Sequence, residues 1–92
     1  VIAIAPSDSK LNLIEANIRE CKSRGAKIIL ITDHEGPITK FADVVIPTMT
    51  THPELTPFVN IIPLQILAYY AGLNRGINVD RPRNLAKSVT VI

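Results

Sequence analysis

Apolar and polar residues alternate in blocks along this chain. Residues 1–5 (Val-Ile-Ala-Ile-Ala) form a continuous apolar run closed by Pro6, which predicts a buried strand. Ser7, Asp8 and Ser9 follow and offer N-cap oxygens to a helix predicted over residues 10–23. In that helix Leu11, Ile14, Ile18 and Cys21 recur at helical spacing and make one apolar stripe. On its wet face Glu15 with Arg19, and Glu20 with Arg24, are i,i+4 pairs in the favourable orientation. Gly25 is placed to end it. Residues 27–31 and 43–46 are two further apolar, β-branched runs, the second stopped by Pro47. Residues 38–42 between them have room for one helical turn. Strands apolar on both faces, joined through helices, predict a parallel sheet with helical cover.

The second half of the pattern differs. Residues 48–54 read as a polar loop, after which Thr56 and Pro57 resemble an N-cap and first helical residue. Phe58, Ile61, Ile62, Ile66, Tyr69 and Leu73 fall on all sides of the helix that follows. A helix apolar all round is expected to lie between layers or at a subunit contact. Pro63 is expected to kink it, and Asn74-Arg-Gly76 to close it. The final stretch, Asp80-Arg-Pro-Arg-Asn-Leu-Ala-Lys-Ser-Val-Thr-Val-Ile92, has no hydrophobic period and reads as a tail rather than core.

Composition narrows the possibilities. Ninety-two residues make at most one small domain, and 47% hydrophobic residues exclude a disordered segment. The net charge of +2 comes from interspersed charges without a basic block, so nucleic acid is not an expected partner. No uninterrupted apolar run reaches the ~18 residues of a membrane span, and residues 1–5 lack the basic leader of a signal peptide, so no membrane is expected either. Cys21, the single cysteine, is expected as a small buried hydrophobe, which suits a reducing, cytoplasmic compartment. A chain that opens inside a strand, without an initiator Met, is expected to be the C-terminal piece of a longer protein. Three strands would leave open sheet edges for that missing part to cover.

Several residues carry possible chemistry. The Lys87 amine, among small neighbours, can attack a sugar ketone to give an imine if a desolvated site holds it neutral; chemistry alone favours an exposed tail lysine. Ser7, Asp8 and Ser9 lie where helix N-termini attract phosphate, but Asp8 would repel it, so plain capping is expected. Asp33, His34 and Glu35 stand at the end of the second strand. Adjacent residues do not readily converge on one metal, so a solvated loop is expected, and His52 has no helical spacing to His34. Gln65 is expected to hydrogen-bond a neighbouring backbone group. No nucleophile triad, P-loop or zinc spacing is present.

The tail run D-x-P-R-N-L-A-K-S-V-T-V and the segment P-L-Q-x-L-A-Y at residues 63–69 resemble the C-terminus of the glucosamine-6-phosphate synthase family, the isomerizing glutamine–fructose-6-phosphate aminotransferases. Their synthase half is built from two sugar isomerase (SIS) domains. The resemblance implies an α/β, three-layer αβα, flavodoxin-like fold with a parallel sheet. Residues 1–79 would be the C-terminal part of the second SIS domain and residues 80–92 an active-site tail. It also implies that Lys87 is the catalytic lysine contacting the open-chain sugar and that Ala86 supplies a backbone contact to it. Arg83 and Asn84 would form the base of a mobile tail that couples the two active sites. Implied partners are fructose 6-phosphate and glucosamine 6-phosphate, the first SIS and glutaminase domains of the parent chain, and a second copy in a homodimer. No metal or organic cofactor is implied.

Two departures stand beside this. The family usually ends in glutamate where this chain has Ile92, and its glutamate base and ring-opening histidine match no residue here, His34 and His52 included. The fragment alone is expected to be inactive. Other SIS enzymes (a sugar-phosphate isomerase, an amino-sugar deaminase–isomerase, a deglycase) and the sugar-phosphate-sensing domain of a transcriptional regulator are the alternatives.

Overall fold

A computed structural model describes residues 1–81 together with Arg83. Among them run β1 (Ile2–Ala5), α1 (Leu11–Ser23), β2 (Ile29–Thr32), β3 (Val44–Pro47) and α2 (Thr56–Asn74). Short 3₁₀ turns fill Pro37–Phe41 and Pro53–Leu55. The three strands are parallel in the order β1-β2-β3, with Ile4, Ile31 and Ile46 in register.

Side chains alternate across a strand, so the register defines two faces. One carries Ala3, Ala5 and Leu30 and receives α1. Ala5, Ile18, Ile28, Leu30 and Ile38 form its buried core, with Leu11, Ile14 and Cys21 of the predicted stripe packed against them. Cys21 is half-buried rather than enclosed. Small residues on β1 let α1 sit close, and Ile38 from the 3₁₀ turn plugs the end of the layer with no exposed surface. Gly25 ends α1 at φ +86°. There Ala26 N donates to Cys21 O at 3.1 Å and Gly25 N to Lys22 O at 3.0 Å, a Schellman closure.

The other face carries Ile4, Ile31 and Ile46 and is crossed by α2, so the architecture is α/β in three layers, as expected. Ile31 is fully buried there. The expected burial of α2 is not met within this chain. Only Asn60 is buried, while Phe58 is 69% and Tyr70 59% exposed. The sheet is too narrow to cover a helix that is apolar on every side.

Three local expectations are corrected. Ser7, Asp8 and Ser9 do not cap α1 directly: the N-cap position is Lys10, whose N donates to Asp8 Oδ1 at 2.8 Å. The short aspartate side chain closes its own turn in competition with the helix end. Thr56 is the first residue of α2, not its cap, because the turn from Pro53 runs straight into the helix. His52 caps that turn, its Nδ1 accepting from Glu54 N at 3.3 Å. Arg19 leaves Glu15 and lies 5.3 Å from the centre of the Phe41 ring, whereas Arg24 and Glu20 pair at 2.8 Å. The assignment of α2 continues through Pro63.

Candidate functional site at the strand ends

In open parallel sheets, ligands bind beyond the carboxyl ends of the strands. Three loops meet there: Pro6-Ser7-Asp8 after β1, Asp33-His34 after β2, and Thr48-Met49-Thr50 after β3. Thr32 joins the first two from beneath. It is 2% exposed, donates its hydroxyl to Ala5 O at 2.6 Å and accepts from His34 N at 3.0 Å. Its carbonyl receives Thr48 N at 2.9 Å, which fastens the third loop.

Asp33 binds the loops from above. Its carboxylate accepts Ser7 N at 2.8 Å across 26 residues of sequence. Burial raises its pKa, but the bond from the Ser7 amide, with the Ser7 and Thr50 hydroxyls and its own amide turned toward it, outweighs this and holds the carboxyl below its ordinary 3.8. Sequence reasoning placed Asp33 in a solvated loop with His34 and Glu35; the structure makes it a bridge. The ring of His34 lies against Gly36, where a Cβ would come within 2.5 Å of its Nε2. Among the described residues no three His, Cys, Asp or Glu side chains gather as a metal site.

Between the end of β1 and the first turns of α2 lies a cavity of about 490 Å³, bordered by Pro6, Asp8, Thr56, Asn60, Ile61 and Leu64 among others. It is largely apolar, with Asp8 its one charged group and Asn60, 7% exposed, on its wall. A second groove of about 370 Å³, wholly apolar, runs between Ile46 and the Pro63–Tyr70 side of α2. Gln65 is exposed on the helix, and among the described residues no backbone group hydrogen-bonds it, contrary to expectation.

The base of the tail is built from α2. Gly76 adopts φ +69°, its N donates to Leu73 O, and Ile77 N donates to Gly72 O, both at 3.0 Å. The chain then folds back, so that a Cβ on Gly72 would lie 2.9 Å from Val79 Cγ1. Asn78 Oδ1 accepts the Asp80 and Arg81 amides at 3.0 Å each and turns the backbone again. Of the tail residues singled out above, Arg83 is exposed in a turn. Asn84, Ala86 and Lys87 lie outside the described residues.

By length and composition, the 22-residue segment Pro53–Asn74 is apolar enough to cross a membrane, with mean hydropathy 1.2 over an 18-residue window. The core helix of a globular fold can be as apolar but is mostly buried, whereas 6% of that window is buried here.

Comparison with known proteins places these features. The chain is 47% identical over 93 residues to a glutamine–fructose-6-phosphate aminotransferase (isomerizing) of Geobacillus kaustophilus. It is 46% identical over 95 residues to that of Bradyrhizobium diazoefficiens and 44% over 91 residues to that of Thermococcus kodakarensis. Each alignment takes in 99% of this chain but 15% of the relative, so the chain spans about one-seventh of the proteins it matches. The SIS domain family matches residues 1–75, from β1 to the last turn of α2. With a parallel sheet layered between helices over that same span, the chain belongs to the SIS domain family.

Proposed function

We propose that this chain is the C-terminal part of the sugar-converting half of a glutamine–fructose-6-phosphate aminotransferase (isomerizing). The parent protein would combine fructose 6-phosphate with glutamine-derived ammonia and isomerise the product to glucosamine 6-phosphate. What carries the reading is the likeness to relatives of that name along 99% of the chain, tail included. Residues 1–79 belong to the SIS domain and residues 80–92 form its active-site tail. Lys87 is the catalytic residue: its amine, kept neutral by a desolvated site, adds to the ketone of the ring-opened sugar, water leaves to give an imine, and glutamine-derived ammonia then displaces the lysine amine, which returns free. That step polarises the adjacent carbon, from which a proton must move for isomerisation. Ala86 supplies a backbone contact to the sugar, while Arg83 and Asn84 form the base of the tail that closes over the sugar and couples the two active sites.

The protein works in the cytoplasm without metal or organic cofactor, as a homodimer. The apolar surface left on α2 supports a partner there. The test is glucosamine 6-phosphate formation by the full-length protein, wild type against Lys87→Ala, with glutamine hydrolysis followed alongside. Loss of the sugar step in a folded variant that still hydrolyses glutamine is expected. A wild type that binds sugar phosphate and makes no amino sugar would overturn the reading in favour of a sensor or another SIS isomerase.

A further inference from the structure

Between the end of α2 and the tail the chain is fixed at three successive points. Gly76 adopts φ +69°, and Ile77 N donates to Gly72 O at 3.0 Å, which turns the backbone back along the helix. Val79 then packs over Gly72, so closely that a Cβ there would lie 2.9 Å from Val79 Cγ1. Val79 is half-buried, while residues 73–78 before it and Asp80 and Arg81 after it are exposed. Asn78 makes the third point: its Oδ1 accepts the Asp80 and Arg81 amides at 3.0 Å each. None of these residues belongs to the buried core. What the three contacts determine is the direction in which the chain leaves α2.

We propose that Asn78 is a positioning residue for the sugar step: its side-chain turn aims the tail that carries Lys87. The inference rests on the aminotransferase reading above. Lys87 follows Arg81 by six residues, and six extended residues reach about 20 Å at most. The amine therefore works on a short tether, and the angle at which the tether starts decides where it can go. One acceptor that takes two successive amides fixes that angle locally. Positioning at a reacting atom is steep, since a misplacement of about 1 Å can cost about a hundredfold in rate. Asn78→Asp keeps the accepting oxygen, whereas Asn78→Ala removes it. Gly72→Ala perturbs the same path from the other side by pushing Val79 off the helix. It does so while strengthening α2, because alanine is the better helix former.

The experiment uses the full-length protein and measures kcat for glucosamine 6-phosphate formation. Glutamine hydrolysis without sugar is the internal control, and the thermal midpoint reports folding. Asn78→Ala is expected to lower kcat roughly tenfold through the loss of two exposed hydrogen bonds, with glutamine hydrolysis within about twofold of wild type and the midpoint unmoved. Asn78→Asp is expected to recover most of that rate. Gly72→Ala is expected to lower kcat with a midpoint at or above that of wild type, a split that a purely structural role does not produce. If Asn78→Ala does not fold, Gly72→Ala decides. An unchanged kcat in the folded variants overturns the proposal. So does an aspartate variant as slow as alanine, or a fall in glutamine hydrolysis parallel to the sugar step. A wild type that makes no amino sugar overturns the functional reading itself, a result distinct from these.

Discussion

Thr32→Val is the substitution whose cost the structure defines most closely. The two side chains have nearly the same shape, so the change opens no cavity and acts through the hydroxyl alone. That hydroxyl donates to Ala5 O at 2.6 Å, with Ala5 fully buried and Thr32 2% exposed, so water has no ready access to replace it. An orphaned buried carbonyl costs about 1–3 kcal/mol. The hydroxyl also accepts from His34 N at 3.0 Å. His34 is half-buried, so solvent can partly take over and the loss is about 0.5–1 kcal/mol. Together they come to about 1.5–4 kcal/mol, which at 1.4 kcal/mol per decade is roughly a ten- to several-hundredfold change in an opening equilibrium. Hydrogen exchange read by mass spectrometry on the β1 and β2 peptides of the full-length protein reports that equilibrium locally. Thr32→Ser is the control: it keeps both bonds and removes one methyl, worth about 1 kcal/mol. If valine exchanges as slowly as wild type, or serine faster than valine, then packing rather than this bond holds the strand ends together.

The pH dependence of Asp43 follows from its partners. The bond from Lys22 at 2.7 Å, then the bond from Ile28 N at 2.8 Å, hold its carboxyl below the ordinary 3.8 despite some opposing burial. A depressed folded pKa stabilises above the unfolded value and is lost as pH falls through the folded one. The stability gap between wild type and Asp43→Asn should therefore be full near neutral pH and close below about pH 4, which urea midpoints across the acid range will show. Gly76→Ala forces a Cβ into φ +69°. It should destabilise the end of α2 by about 1–2 kcal/mol, seen as faster exchange at Gly76 and Ile77 with β2 unaffected.

The hydrophobic pattern located every strand and both helices, and the structure moves their edges by a residue or two for identifiable reasons. The run at residues 27–31 becomes a strand only from Ile29, because the Ile28 amide is claimed by the Asp43 carboxylate and does not enter the ladder. The same aspartate, just ahead of β3, keeps that strand from starting at residue 43. Both shifts come from one contact between residues far apart in sequence, which periodicity does not record. The burial of α2 fails differently. Its all-round apolar character was legible, but periodicity says that a helix face is apolar and not which chain covers it.

The candidate site divides along the same line. The role proposed for Lys87 rests only on its neighbours in N-L-A-K-S-V-T-V, because an amine in a polar tail has no local feature that separates a nucleophile from a solvated charge. The contact of Asp33 with Ser7 was not legible because Asp-His-Glu before Gly-Pro is ordinary loop composition. Its partner Ser7 lies 26 residues earlier, and only the parallel pairing of β1 with β2 brings the two together. One cue was available. In a parallel sheet the residue after the central strand faces the loops of both neighbours, so an acceptor-only side chain there is placed to bridge them. That rule selects Asp33 over His34 and Glu35 in the same triplet. Of the three, only the first stands directly at the end of β2, with Ala5 and Pro47 in register beside Thr32.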